Sequence, residues 1–223
     1  MSPKYPRIPH LPWSPGGTRD DRRLASVASL LNQELVISEK MDGSNVCLES
    51  QNVFARSHSG APKHPSFDAL KALHSGVKHL IPDGVQVFCE WCYAKHSIAY
   101  SNLPNYLLVF GVRYLPPLST HPLIKEMAGN DWLQWDEVEA WAEELGVKTV
   151  PVLDHIRVPT KEDLKEHIEA LYAWTQREGV VVRLARSFSN AEFDTAIAKW
   201  VRAGHVQTDD HWSTQEIVKN HRN

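Results

Sequence analysis

Leu35-Val36-Ile37-Ser38-Glu39-Lys40-Met41 is a strand-forming run that stops at Asp42-Gly43, and Asn45-Val46-Cys47-Leu48-Glu49-Ser50 resumes the same character. Two such runs around a tight-turn dipeptide confine this part of the chain to β-structure, and the simplest arrangement is an antiparallel pair. Lys40 then stands at a strand end beside the turn. Alone, this is weak as chemistry, because a lysine before Asp-Gly is usually a surface residue of a hairpin.

The flanking sequence supplies both strands and helices. Residues 1–17 carry Pro3, Pro6, Pro9, Pro12 and Pro15 and then Gly16-Gly17, which excludes regular helix and central strand and leaves an extended lead-in along the domain surface. Asp20 to Leu31 has helical character. Ser66 to Leu80 reads as a helix with Ser66 as N-cap and Leu70, Leu73, Val77 and Leu80 on one face. After the Pro82-Asp83-Gly84 turn, alternation over Val85 to Trp91 puts Val85, Val87, Cys89 and Trp91 on one face and Gln86, Phe88 and Glu90 on the other. Glu90 is thus an acid on an otherwise apolar strand. Tyr106 to Val112 is a further strand, Trp135 to Leu145 and Thr160 to Gln176 are amphipathic helices, the second capped by Thr160, and Val180 to Leu184 and Thr195 to Val201 complete the strands. Thr214 to His221 reads as a short final helix. At 223 residues and 42% hydrophobic the chain can bury one sizeable core, so the expectation is a single α+β domain over 1–223.

Charge is informative in its distribution rather than its total. The net charge of -3 gives no support for nucleic-acid binding. Residues 51–80, however, hold Arg56, Lys63, Lys71 and Lys78 against Asp68, whereas residues 131–170 hold eleven acids against four bases, so a polyanion would meet the first region and avoid the second. Trp132, Trp135, Trp141 and Trp174 lie in or beside those acidic helices and read as core rather than base-stacking residues. Cys47, Cys89 and Cys92 cannot all pair, and no apolar run is long enough to span a membrane, which points to a reduced, cytoplasmic chain. Cys89-Glu90-Trp91-Cys92 has metal-ligand spacing but no second pair to match it.

Four segments beyond Lys40 change its weight: Ala55-Arg56-Ser57-His58, Phe88-Cys89-Glu90-Trp91, Glu178-Gly179-Val180-Val181-Val182-Arg183 and Ala198-Lys199-Trp200-Val201-Arg202. In this order they supply what a covalent nucleotidyltransferase needs: a nucleophilic amine, a ribose grip, carboxylates for hydroxyls and metal, and a second lysine for phosphate. A lysine near its ordinary pKa of about 10.4 is a poor nucleophile at neutral pH. For Lys40 the apolar strand behind it, with Arg56 and Lys199 as a positive field, is expected to lower that value. Lys199 and Mg²⁺ are suited to charge building on phosphoryl oxygens. Glu90 suits a ribose hydroxyl, Glu178 a hydrated Mg²⁺, and Phe110 and Val180 an adenine face. His58, His64 and His96 are candidates for contacting phosphates, against the ordinary structural role of a lone histidine.

From Leu35 to Arg202 the chain resembles the ATP-dependent RNA ligases of the covalent nucleotidyltransferase superfamily, of the T4 RNA ligase 2-like type, a superfamily that includes DNA ligases and mRNA capping enzymes. The resemblance makes Lys40 the adenylated lysine. Asn45 takes the position where DNA ligases and capping enzymes usually have Arg, and Tyr93 to Tyr100 also looks like bacterial and phage RNA ligases. It implies ATP binding by Glu39, Lys40, Asn45, Arg56, Glu90, Phe110, Val180 and Lys199, and RNA binding by Asn45, Arg56, His58, His96 and Arg202. Lys40, Lys199 and Glu178 are the implied catalytic set, with Glu178 on Mg²⁺ largely through water and Mn²⁺ able to substitute. The implied fold is the ATP-grasp-like nucleotidyltransferase fold, two antiparallel sheets flanked by helices with the ATP cleft between them. The implied activity joins RNA 3′-hydroxyl and 5′-phosphate ends. A nick, single-stranded ends or a cleaved tRNA all remain open as substrate, and a protein partner supplying extra RNA-binding surface is compatible with the pattern.

Gly111 stands where an Asp commonly follows the Phe110 aromatic, and Val201 stands where a second lysine is common. Only 21 residues follow Arg202, which reads as a minimal catalytic domain without the C-terminal domain of many relatives. The rival readings are a ligase of DNA or hybrid nicks, a capping-type guanylyltransferase, and a catalytically inactive RNA-binding module of the same fold. Intact Lys40, Glu90, Glu178 and Lys199 argue against the last.

Overall fold

β1 (Leu35–Lys40) and β2 (Ser44–Leu48) are consecutive but do not pair. β1 is central in a four-stranded antiparallel sheet, between β7 (Val152–Ile156) and β8 (Gly179–Leu184), with β9 (Ile197–Val201) beyond β8. β2 lies in a five-stranded sheet of order β3-β2-β4-β5-β6, formed with β3 (Val53–Ala55), β4 (Val85–Trp91), β5 (Leu107–Tyr114) and β6 (Lys148–Thr149). Among these nine strands the β5–β6 pair alone is parallel. The expected hairpin is therefore replaced by a crossing from one sheet to the other. Gly43 explains it: a Cβ there would lie 2.8 Å from Trp91 O and 3.1 Å from Glu90 Cγ, so the glycine permits close approach to β4 rather than a hairpin turn. The computed structural model describes residues 4–17, 20–115, 131–172, 177–205 and 217–223.

Two apolar clusters hold the sheets. One packs Val46, Leu48, Val87, Cys89 and Trp91 of the five-stranded sheet against Phe67 and Leu70 of α1 (Asp68–Val77) and its approach, and against Trp135 and Val138 of α2 (Trp135–Glu144). The other joins Leu35, Ile37, Val180 and Val182 to Leu164 and Ile168 of α3 (Lys161–Tyr172) and to Tyr5 and Leu11 of the lead-in. Phe88, on the opposite face of β4 from Cys89, belongs to this second cluster, so the alternation expected for Val85 to Trp91 is observed and ties the layers together. Trp132 and Trp135 are buried, as expected of core residues; Trp174 lies outside the described residues.

Several local expectations change. Residues 20–31 form turns rather than a helix: the Leu24 N–H donates to His10 O and the His10 N–H to Arg22 O, which ties the segment to the lead-in, while Leu24, Val27 and Leu30 satisfy their periodicity by facing the core. The turn before α1 is capped by the His64 side chain, not by Ser66, whose N–H donates to it. Thr160 does cap α3, accepting from Asp163 N at 3.1 Å. A four-residue helix, α4 (Phe193–Ala196), precedes β9. The expected terminal helix falls partly outside the described residues, and residues 217–223 are extended, with bridges from Lys219 to Ala94 and from Arg222 to Leu103. All three cysteines are free and buried. No helix among the described residues is long and apolar enough to cross a membrane.

Candidate active site

The seam between the sheets opens a cavity of about 750 Å³ lined by Lys40, Asn45, Arg56, Glu90, His96, Phe110 and Lys199. Strand register assembles these side chains. Lys40, the last residue of β1, faces Gly179, the residue after Glu178, and Lys199 on β9 faces Val181 two positions further along β8. Across the seam, Asn45 on β2 faces Glu90 on β4.

Lys40 Nζ lies 2.6 Å from Glu178 Oε1, with the lysine side chain 26% and the glutamate 10% exposed. Burial alone would push the Lys40 ammonium down, but the charges of Glu178, Glu90 and Asp42 outweigh it and the proton is held more tightly than usual. This corrects the expected lowering by Arg56 and Lys199: the carboxylates are nearer, and the resting lysine is an ammonium clamped by Glu178. Glu90 is pushed up to about 7, first by burial and then by Glu178 and Asp42, against the pull of Lys40 and a hydrogen bond of 3.1 Å from Gly43 N to Oε1. Asn45 lines the cavity, and its Oδ1 is buried without a hydrogen-bond partner. Lys199 is lowered by burial and by Lys40.

The other expected residues divide. Glu39 lines the cavity and receives Arg177 Nε at 2.9 Å. His96 lies 3.4 Å from Ser44 Oγ through Nε2, and His64 lines the same wall. Val180 points away into the second apolar cluster; strand alternation gives Val181 and Arg183 to the cavity instead, so the aliphatic face beside Phe110 is one residue further on. His58 is buried against Phe54, rings 4.8 Å apart, and does not line the cavity. Arg202 also lies off the lining, its backbone N–H donating to Glu178 O. Gly111 packs toward Trp132 and Tyr5, so an acid there would enter an aromatic cluster. Val201 is buried and does not line the cavity, its carbonyl receiving Gly16 N.

Asp42 and His205 were not legible as site residues. Asp42 Oδ2 accepts from Ser97 N and Ile98 N at 2.7 and 2.8 Å, while His205 Nε2 sits 3.5 Å from Asp42 Oδ1 and 3.6 Å from Glu178 Oε1. Burial would raise the Asp42 carboxyl, but the His205 ring and the Ile98 N–H hold it below the usual range. Donor atoms of Asp42, Glu178 and His205 lie within 4.8 Å of one another, and this set of two carboxylates and an imidazole fits a divalent cation that accepts mixed oxygen and nitrogen ligands. The signal for Asp42 is its place two residues after Lys40; His205 has none in the sequence.

A family model described as RNA ligase matches residues 33–201. Among solved structures, an archaeal ATP-dependent RNA ligase is similar with a TM-score of 0.54 and 16% identity, over 89% of this chain and 48% of that one. A Naegleria gruberi RNA ligase mutant, solved with ATP and Mn, is similar with a TM-score of 0.51 and 14% identity, over 82% of this chain and 54% of that one. A putative ATP-dependent DNA ligase from Aquifex aeolicus gives 0.52 and 16%, over 95% of this chain and 56% of that one. The chain thus spans about half the length of these relatives. At such identities the likeness shows the fold, the two-sheet α+β fold of ligase nucleotidyltransferase domains. No curated protein matches the sequence significantly.

Proposed function

The chain belongs to the RNA ligase family, and from that premise we propose that it joins RNA 3′-hydroxyl and 5′-phosphate ends at the expense of ATP through a lysyl-AMP formed on Lys40. The observation that carries the reading is Lys40 Nζ, clamped at 2.6 Å by Glu178 in a cavity large enough for a nucleotide and faced there by Asn45, Glu90 and Lys199.

In the first step Lys40 Nζ attacks the α-phosphorus of ATP. An N–P bond forms, the bond to the bridging oxygen breaks, and pyrophosphate leaves with that electron pair. Lys40 must first release its proton, which Glu178 opposes in the resting protein. Asp42, Glu178 and His205 would hold a divalent cation, whose positive charge would engage Glu178 and polarise phosphate oxygens. With the Glu178 charge so offset, the burial of Lys40 would be opposed less and would favour release of its proton to solvent. Lys199 stands ready for the charge on the phosphoryl oxygens, Glu90 and Asn45 for the ribose hydroxyls, and Phe110 for the base. In the second step an RNA 5′-phosphate oxygen displaces Lys40 from AMP. In the third a 3′-hydroxyl attacks that activated phosphate and AMP departs.

Intact mass after incubation with ATP and divalent cation is the test. The expected result is an AMP-sized increase with ATP, none with GTP, and none in Lys40→Ala. Unchanged mass with either nucleotide, in protein stripped of bound AMP, would overturn the proposal. The likeness to the Aquifex aeolicus protein favours a second reading, sealing of DNA or hybrid nicks. Matched nicked duplexes with ribose or deoxyribose at the 3′ end separate the two.

A further inference from the structure

The lead-in does more than lie along the surface. It adds to the free edge of β9: the Lys199 N–H donates to Pro9 O at 2.9 Å, Leu11 N to Lys199 O at 2.8 Å and Gly16 N to Val201 O at 2.8 Å. Ser14 Oγ accepts from Val201 N at 2.9 Å and meets His10 Nδ1 at 2.9 Å. The chain then returns past this edge, fixed by Arg23 Nη1 on Ser14 O at 2.7 Å and by an Arg22–Asp194 ion pair. Between these two arginine anchors and the edge, Asp21 enters the cavity wall, Oδ1 3.7 Å from Lys199 Nζ and Oδ2 3.6 Å from His10 Nε2.

We propose that Asp21 is a positioning residue for nucleotide transfer, a carboxylate brought by the lead-in to keep Lys199 charged and aimed at the phosphate end of the cleft. This rests on the reading of Lys199 as a phosphate ligand. The Lys199 side chain is only 20% exposed. Lys40 faces it from β1, Arg56 from the end of β3, and Glu178, itself taken up by Lys40, from the start of β8. His10, on the lead-in, is held neutral near neutral pH, with a pKa of about 4, by burial and by Lys199. Asp21 is the carboxylate that pairs with Lys199 among the described residues. Burial and two like charges favour loss of the Lys199 proton, and a neutral amine cannot stabilise a phosphoryl transition state. The separation of 3.7 Å lets Lys199 turn to a phosphate oxygen without breaking a short, strong bond.

The experiment measures the rate of AMP adduct formation between pH 6.5 and 9.5, at saturating ATP and Mg²⁺, for wild type, Asp21→Asn and Asp21→Glu. The expected result is an alkaline limb moved down by about one pH unit in Asp21→Asn, the effect of losing one opposite charge at this range, and restored in Asp21→Glu. Competitive acetylation with peptide mass mapping reads the titration of Lys199 without turnover and is expected to move with it. Superimposed profiles, uniform slowing without a shift, or an Asp21→Asn protein faster at every pH would each overturn the inference. Wild type that forms no adduct would overturn the Lys40 reading instead, and the acetylation profiles would still decide the role of Asp21.

Discussion

At the scale of the residue, Lys40, Glu90 and Lys199 are legible because each is a charged group set in an apolar strand, and Glu178 because it directly precedes one, where only function or pairing repays burial. Their mutual electrostatics are not legible, because those depend on which carboxylate stands nearest. Glu90 shows the consequence. Its pKa of about 7 lies above the ordinary 4.5, so the native state holds a proton that the unfolded chain releases. Stability from this group is therefore fully present below about pH 4.5 and falls as pH rises toward 7. Glu90→Gln keeps an acceptor for Gly43 N and removes the titration. The expected result is a stability advantage of Glu90→Gln over wild type that grows by about 2–3 kcal/mol between pH 5 and pH 8, from urea unfolding at each pH. An advantage independent of pH would count against it.

At the scale of the element, each strand and helix is more legible in the sequence than its partners. The alternation in β4 and the periodicity of α1, α2 and α3 are local, so the sequence displays them; the separation of β1 from β2 is not, since it depends on β7 and β8 occupying both edges of β1. Residues 20–31 carry helical spacing yet form turns, because tertiary hydrogen bonds to the lead-in outweigh a weak propensity. Two glycines separate these influences. A Cβ at Gly179 would overlap Trp200 O, so Gly179→Ala forces β8 from β9 and moves Glu178 away from Lys199. A Cβ at Gly76, inside α1, meets nothing within 4 Å. Gly179→Ala is expected to lose about 3 kcal/mol or more, and Gly76→Ala to gain up to about 1 kcal/mol, by thermal or urea unfolding.

For the whole molecule, both ends of the chain tie down the rim of the cleft, the lead-in at β9 and residues 217–223 at the segment after β4. Neither tie was visible in the sequence, since an extended strap has no periodicity to display. Asn220 is the centre of the second tie. It is 2% exposed; its Nδ2 donates to Cys92 O at 2.9 Å and its Oδ1 accepts from Tyr100 N at 2.9 Å, while its backbone N–H donates to Tyr93 O. Those partners bracket Ser97 and Ile98, whose N–H groups hold the Asp42 carboxylate, and the Asp42 N–H donates to the Tyr100 hydroxyl oxygen. Asn220→Ala leaves a buried donor and acceptor unsatisfied, and each costs about 1–3 kcal/mol. The strap then competes poorly with water, and the segment around Ser97 is freed before the sheets are. The expected result is a loss of about 2–4 kcal/mol in global stability together with faster amide hydrogen exchange at Ser97 and Ile98 than at Val87 or Val182, which lie in the sheets. Equal acceleration everywhere would mean that Asn220 supports the core alone. Selective acceleration would mean that the C-terminal strap holds in place the Ser97–Ile98 segment that binds the Asp42 carboxylate.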